Sequence, residues 1–252
     1  MVLEGDDLIS YAEKGCDLQF GLLYTFIHEF CKNGGQESLE KIFAPNEEKV
    51  VPIQVANSIL NLFKSVKKLL RPKPKECLVK ILKDYILKQI DSITPEEVKD
   101  MDSNIVQEGL RNAEWLLQDD PEHDKYVFND YMLQFFLKMI QSPYFEKKLR
   151  GITDVNKKIE RISNMKRDEG EAKKLVEWII NSNVLKLIYN ENSHPEIMKK
   201  GVEMLIFLAK NKAITKELID IVWNCQLDKH EDIVRTVYSC AEGLITHLSV
   251  DV

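Results

Sequence analysis

Five cysteines are the residues of this chain best suited to nucleophilic chemistry: they are Cys16, Cys31, Cys77, Cys225 and Cys240. A nucleophilic cysteine needs a neighbouring base and a turn or helix N-terminus that stabilises its thiolate. None of the five has that setting, and Cys225 and Cys240 are expected within helices. Their odd number and wide spacing suit a reducing compartment and fit neither a disulfide framework nor a zinc site. The sequence therefore predicts no catalytic residue.

Metal and cofactor chemistry has equally little support. The histidines are isolated from one another, and His28 has only Cys31 on its helix face, which leaves a four-ligand zinc site incomplete. The phosphate-binding patterns GxxxxGKS/T and GxGxxG are absent, as are the hydrolase signatures HExxH and GxSxG. We expect no metal and no cofactor in this chain.

One cluster of basic residues has the composition of a binding surface. Four of its members are spaced for one outer helix face: Lys64, Lys67, Lys68 and Arg71. The cluster continues through Lys75 and could contact phosphates or an acidic peptide. Since no aromatic residue interleaves to stack bases, a solvated helix face is favoured over a nucleic-acid surface. The pairs Lys147-Lys148 and Lys157-Lys158 are interpreted in the same way.

The elements that carry these residues are predicted to be helices. Between Val51 and Leu70, apolar residues recur at steps of three and four, which is one stripe of an amphipathic helix. The prolines in 71–75 are predicted to break that helix, because a proline biases the preceding residue away from helical backbone. A second apolar stripe runs from Leu78 to Ile86. The two stripes predict an αα-hairpin.

Similar helical segments recur along the chain. They cover about 18–31, 105–117, 126–140, 142–165, 172–180, 194–209, 215–226 and 231–248. The segment 94–97 reads as a capping box and 33–35 as a glycine stop. Helix pairs spaced by about 35–45 residues predict an all-α, armadillo/HEAT-like α-solenoid of antiparallel helix pairs. We expect a single array with an N-terminal half, 1–125, and a second half, 126–252, and a compact bundle is the structural alternative.

Aromatic side chains recur at helical spacing and are interpreted as inter-helix core. They are Trp115, Tyr131, Phe135, Phe136, Trp178 and Trp223, with Met139 beside them. The wide apolar stripe of the helix 231–248 leads us to expect an unfinished repeat, whose apolar face a further segment or a second molecule would cover.

Overall charge and hydropathy exclude several classes of protein. The formal charge of −6 is too mild to direct the whole chain to nucleic acid or an anionic membrane. The sequence contains no run of 18 apolar residues, the length needed to span a bilayer. The first residues lack the basic and apolar regions of a secretory signal. We expect a protein of the cytoplasm or also of the nucleus.

Three segments carry a resemblance to a known family. They are Met139-Ile-Gln-Ser-Pro-Tyr-Phe-Glu-Lys-Lys-Leu149 running on to Ile159, then Leu175–Leu185, and then Ile219–Asp232. Their order and spacing resemble the pre-catalytic region of the very large ubiquitin-specific proteases of the fat facets type. The likeness covers about residues 130–248 and, more faintly, 18–43. It implies an armadillo-like region of a cysteine-type deubiquitinase, whose catalytic cysteine box this chain lacks.

The sequence therefore favours a protein–protein interaction scaffold that resembles the non-catalytic arm of a large deubiquitinase. Its expected partners are other proteins, including components of the ubiquitin pathway. Two alternatives stay open: a fragment of a full-length ubiquitin carboxyl-terminal hydrolase whose catalytic domain lies elsewhere, and a nucleic-acid adaptor that uses the cluster Lys64–Lys75.

Overall fold

A computed structural model describes residues 18–44, 51–65, 72–118, 127–164 and 169–247, and these ranges contain helices and no strand. A 3-10 turn, Glu97–Asp100, separates the fourth and fifth helices. In chain order the α-helices are α1 (Leu18–Lys32), α2 (Gly35–Ile42), α3 (Ile53–Ser65), α4 (Pro72–Ser92), α5 (Ser103–Leu117), α6 (Val127–Gln141), α7 (Phe145–Asn164), α8 (Glu169–Asn181), α9 (Val184–Ile188), α10 (Pro195–Lys210), α11 (Lys216–Asn224) and α12 (Glu231–Ile245). The predicted all-α class is confirmed.

Short polar residues start several of these helices, as their sequence positions indicate. The Asp102 side chain accepts a hydrogen bond from the Asn104 backbone N–H at 2.8 Å and caps α5. The Thr94 backbone N–H donates to Glu97 Oε2 at 2.8 Å while the Glu97 N–H donates to Thr94 Oγ1, which is the reciprocal pattern of a capping box. The predicted capping box is therefore present, but it opens a 3-10 turn and not an α-helix.

Two helix boundaries differ from the prediction. Gly34 has a φ of 81° and ends α1, as expected of a glycine in left-handed backbone, but a second short helix, α2, begins directly after it. The predicted pair of separate helices is present as α3 and α4, but residues 72–75 are not the non-helical link that was expected, because α4 begins at Pro72 and continues through Pro74. Both prolines lie in the first turn of α4, where a missing backbone N–H costs no intrahelical hydrogen bond.

The chain divides into two compact units, and each has its own core. The first comprises Met1–Ser92 with Met101–Met132, and the second comprises Ile93–Asp100 with Leu133–Val252. The boundary that the sequence placed between residues 125 and 126 within one array stays a prediction.

In the first unit, α3 packs extensively against α5, and both contact α4. Leu60, Ile86 and Leu110 are no more than 1% exposed in this core. A polar network crosses the α3–α5 interface: Asn112 Nδ2 donates to Asn57 Oδ1 at 3.1 Å and to Asn61 Oδ1 at 2.9 Å. Since a buried polar network is stable only when its members are paired, these amides fix how α3 sits on α5.

In the second unit, α7, α10 and α12 lie side by side and run parallel. The Phe145 ring meets the His194 ring at the N-terminal ends of α7 and α10, and further along Asn156 Nδ2 donates to the Lys200 carbonyl. Cys240 of α12 contacts the Met198 carbonyl of α10. The paired residues are 44 and 42 positions apart, within the repeat spacing predicted from the sequence. Helices α8, α9 and α11 connect these parallel helices, as expected of stacked helical repeats.

Burial corrects part of the predicted core. Phe135, Phe136 and Met139 are at most 2% exposed and confirm the aromatic core of α6. Trp115 and Trp223 are 39% and 42% exposed, so their assignment to the core was wrong. Spacing along a helix gives the face on which a residue lies, but whether another helix covers that face is a tertiary property.

Candidate functional site

The cysteines that the structure describes occupy ordinary structural positions. The helix predicted over 215–226 ends at Asn224, so Cys225 is the C-cap residue of α11, whereas Cys240 lies inside α12. Burial raises the pKa of both thiols above the usual cysteine value. A raised pKa keeps a thiol protonated and unreactive. Cys16 and the side chain of Cys77 lie outside the described residues.

Of the four residues of the candidate basic surface, the structure describes only Lys64. Lys64 lies exposed at the end of α3, and its Nζ donates to Asn112 Oδ1 at 3.1 Å, so that its ammonium completes the buried amide network. Lys67, Lys68 and Arg71 lie outside the described residues. Within the described ranges, no group of three or more His, Cys, Asp or Glu side chains is arranged to hold a metal ion. None of the described helices combines the length and apolar character needed to cross a membrane.

A groove of about 630 Å³ lies between the parallel helices α7 and α10, and we call it the α7–α10 groove. From α7 it is lined by Thr153, Asn156, Lys157, Ile159, Glu160 and Ser163. From α10 it is lined by Lys199, Lys200, Glu203, Ile206, Phe207 and Lys210. Residues at steps of three and four share one helix face, which is why each helix contributes a continuous wall. The groove therefore belongs wholly to the second unit.

The floor of the groove is apolar and its walls are charged. Phe207 and Ile159 are 4% and 7% exposed, whereas the four lysines and two glutamates of the walls are exposed. The lining has a formal charge of +2 in a chain whose formal charge is −6. Sequence reasoning missed this groove, because its walls come from two segments, 153–163 and 199–210, that lie far apart in the chain.

Asn156 is the one polar residue of the groove with an unmet hydrogen-bonding requirement. Its Nδ2 donates to the Lys200 carbonyl oxygen at 2.8 Å, while its Oδ1 is buried and has no hydrogen-bond partner among the described residues. A flipped amide would place Oδ1 against the Lys200 carbonyl oxygen, so this hydrogen bond fixes which atom faces which way. Leaving a buried acceptor unpaired costs about 1–3 kcal/mol.

An ion-pair network on the opposite side of α7 holds this helix in place. Lys158, expected on a solvated face, is 6% exposed and contacts Glu171 of α8 at 2.7 Å, so that expectation was wrong. Arg161 contacts the same carboxylate at 2.7 Å. Burial raises the pKa of Glu171, but the hydrogen bonds and positive charges of Lys158 and Arg161 outweigh it and hold the pKa below its usual value. The carboxylate is therefore charged at neutral pH.

Asp154 lies one turn earlier on α7 and pairs within the helix. It is 3% exposed and accepts hydrogen bonds from Arg150 at 2.9 Å and from Lys157 at 3.3 Å. Lys157 is thus the groove lysine with a carboxylate partner. The ammonium groups of Lys199, Lys200 and Lys210 have no carboxylate within 4 Å among the described residues.

An exposed aromatic surface lies elsewhere in the second unit. The Trp223 and Tyr238 rings meet edge to face with centroids 5.5 Å apart, and both side chains are about half exposed. Leu227 and Ile245 are 58% and 65% exposed on the same two-helix region, which includes the last helix, α12. Part of the apolar stripe predicted for α12 is thus solvent-exposed in this structure.

The family match lies largely within the second unit, whereas curated relatives align over a longer part of the chain. Residues 127–251 match the family model described as UBP24/USP9X/USP9Y ARM repeat. The mouse ubiquitin carboxyl-terminal hydrolase 9Y is 25% identical over 184 residues, which is 69% of this chain and 7% of that protein. The mouse ubiquitin carboxyl-terminal hydrolase 9X is 30% identical over 117 residues, 43% of this chain and 5% of that protein.

An insect relative extends the same pattern. The probable ubiquitin carboxyl-terminal hydrolase FAF of Drosophila melanogaster is 27% identical over 177 residues, which is 62% of this chain and 6% of that protein. The chain thus spans only 5–7% of the length of these curated relatives. No solved structure gives a significant match.

Proposed function

We propose that the chain is a protein–protein interaction scaffold of the ubiquitin system. The premise is that residues 127–251 belong to the ARM-repeat family of UBP24, USP9X and USP9Y. The resemblance noted in the sequence is confirmed by this match and by the hydrolase relatives. The scaffold role is supported by the family together with a stacked layer of three parallel helices that presents an open, charged groove.

The physical basis of such a role is rigidity. Each helix of a stacked array is held by its neighbours, so the exposed side chains of one layer keep fixed distances from each other. Here the Lys158–Glu171–Arg161 network holds α7 against α8, and close packing at Gly151 and Gly201 holds α7 and α10 against neighbouring segments. A preformed surface loses less conformational entropy on binding than a flexible one.

We propose that the chain has no isopeptidase activity of its own. Support comes from the two described thiols whose pKa is raised by burial and from the absence of a catalytic-type cysteine box in the sequence. An electrophilic ubiquitin probe should leave all five cysteines unlabelled, whereas a catalytic domain of a ubiquitin-specific protease in the same assay is labelled. Covalent capture of the probe by any of the five would refute this proposal.

The scaffold role is tested by quantitative affinity purification of the full chain from cell extract. The matched control is the Gly201→Val variant, whose larger side chain should disrupt the packing of α10 on the α9 region. Proteins of the ubiquitin pathway should be enriched by the wild-type chain and lost with the variant. Equal recovery by both chains, or enrichment confined to proteins outside that pathway, would contradict the proposal.

A second proposal is that the chain acts within a longer cysteine-type ubiquitin carboxyl-terminal hydrolase, and it is favoured by the names of the relatives and the small share of them that the chain spans. An antibody against α12 should then detect a polypeptide much larger than 29.3 kDa in cells. A product of about that mass as the only species would contradict this proposal. We further propose a cytoplasmic or nuclear location, which fluorescence imaging of the tagged endogenous product tests directly.

A further inference from the structure

We propose that the α7–α10 groove binds an extended, acidic segment of a partner protein and that Asn156 anchors this segment through its main chain. The proposal deepens the scaffold function and rests on it. It names a site, the chemistry of the occupant and the residue that fixes its register. Three properties of the groove carry it: the charge of its walls, the apolar character of its floor and one unpaired buried acceptor.

The charge of the walls selects an acidic partner. Lys199, Lys200 and Lys210 are exposed and have no carboxylate within 4 Å among the described residues, although the chain as a whole is acidic. Carboxylates of a partner would supply the missing counter-charges. Glu160 and Glu203 lie on the same walls, so the groove favours acidic residues at particular positions over a uniformly negative polymer.

The distance between the lysines sets the length of the segment. Lys200 and Lys210 are separated by ten residues of α10, or about 15 Å at 1.5 Å per residue. An extended chain advances about 3.3 Å per residue, so acidic residues about five positions apart reach both ends of this wall. Between them the floor formed by Ile159 and Phe207 suits an apolar side chain.

Asn156 adds a contact that charge alone does not provide. Its Oδ1 accepts hydrogen bonds and has no donor, while the carboxylates of an acidic segment can only accept. The donor that every polypeptide offers is its main-chain N–H, which is also the group left unpaired in an extended segment. The oxygen has almost no solvent-accessible surface in the unbound chain, so this contact forms once the flexible side chains around it move aside.

A polypeptide fits these features better than a nucleic acid. Single-stranded nucleic acids bind mainly through phosphate contacts and base stacking on exposed aromatic rings. The aromatic residue of the groove, Phe207, is 4% exposed and lies in the floor, where no base can stack on it. The two glutamates of the walls would repel a continuous phosphate backbone.

Fluorescence anisotropy with the full chain tests the charge component. The probe is a labelled peptide of sequence Gly-Asp-Glu-Ser-Leu-Ser-Glu-Asp-Gly, and its counterpart with every acid replaced by lysine should not bind. The triple variant K199E/K200E/K210E should weaken binding by at least tenfold. The matched control K173E/K186E/K216E makes the same change of net charge on α8, α9 and α11, outside the groove, and should weaken it less than threefold.

Main-chain methylation tests the role of Asn156 without altering the protein. Methylating the peptide nitrogens one at a time should reveal one position that weakens binding about five- to tenfold, the size of one hydrogen bond. In the Asn156→Ala variant the same methyl group should have no further effect. Circular dichroism and urea unfolding establish that each variant keeps the wild-type fold.

Four results would overturn the inference. Absence of peptide binding at millimolar concentration, or equal losses in the two triple variants, would remove the groove as a docking site. Tighter binding of an oligouridylate with loss in the groove variant would replace the peptide by RNA. Methylation effects that persist in Asn156→Ala would remove the anchor. Each of these leaves the scaffold function standing, since affinity purification tests that function independently of the groove.

Discussion

Replacing Gly201 by alanine is expected to destabilise the protein, although alanine is the better helix former. Gly201 is buried inside α10, and a Cβ atom built on it would lie 2.6 Å from Ile188 Cγ2 and 2.9 Å from the Tyr189 hydroxyl oxygen. Real Cβ contacts are longer than this, so both neighbours must move. Ile188 and Tyr189 are 0% and 3% exposed and are therefore surrounded by other core atoms.

The magnitude follows from three contributions. Inserting a methyl group into a packed core typically costs about 1–3 kcal/mol. Displacing the Tyr189 hydroxyl weakens its hydrogen bond to the Met198 carbonyl, which is 3.0 Å long, at a further cost of about 1 kcal/mol. The better helix propensity of alanine offsets about 1 kcal/mol of this loss of stability. The free energy of unfolding should thus fall by about 1–3 kcal/mol.

Gly243 of α12 provides a matched control. A Cβ atom there would lie 3.5 Å from Val202 Cγ1, an ordinary van der Waals distance, so Gly243→Ala should raise the free energy of unfolding by about 0.5–1 kcal/mol. Urea unfolding followed by far-ultraviolet circular dichroism compares the two variants with the wild type. A Gly201→Ala protein as stable as the wild type would refute the packing of α10 against the segment that contains Ile188 and Tyr189.

Three further predictions concern polar contacts. Glu171→Gln should lower the free energy of unfolding by about 2–4 kcal/mol at neutral pH, because it removes the carboxylate charge that pairs with the buried Lys158 at 2.7 Å. Since the pKa of Glu171 is lowered in the folded state, this difference should be full above pH 4.5 and should shrink as the pH falls below that value in a pH series of urea titrations. Asn112→Leu should cost about 1–3 kcal/mol by the same unfolding assay, because Asn57 and Asn61 lose their donor, and an unchanged stability would contradict the network. Neutralising Lys67, Lys68 and Arg71 should change the unfolding free energy by no more than about 0.5 kcal/mol, whereas Lys64→Ala should cost about 1 kcal/mol more, through its bond to Asn112.

The helices could be predicted from the sequence because periodicity is a local property. The stripe beginning at Ile53, the helix start near His194 and the stop at Gly34 each depend on residues within a few positions. Short elements escaped the same reasoning. Helix α9 has five residues, which are too few to show a helical period. It follows Asn183, whose left-handed backbone conformation the sequence does not predict.

The groove could not be predicted, because it depends on which helices are neighbours. Lys157 and Lys158 are adjacent and chemically identical, yet one lies in the groove wall and the other is buried against Glu171. The environments of the two side chains differ because neighbouring helical residues point about 100° apart and because α8 covers one of the two directions. The unpaired Oδ1 of Asn156 likewise becomes evident only when α10 supplies the carbonyl that binds its other amide atom.

Backbone amide NMR of the full chain, titrated with the acidic peptide, tests the central claim most directly. Chemical-shift changes and line broadening should be concentrated in residues 153–163 of α7 and 199–210 of α10, the two walls of the groove. They should disappear when the lysine counterpart of the peptide is used. Changes concentrated on α8, α9 and α11, or on the first unit, would show that the chain binds acidic segments elsewhere and would contradict the account of the α7–α10 groove as a docking site.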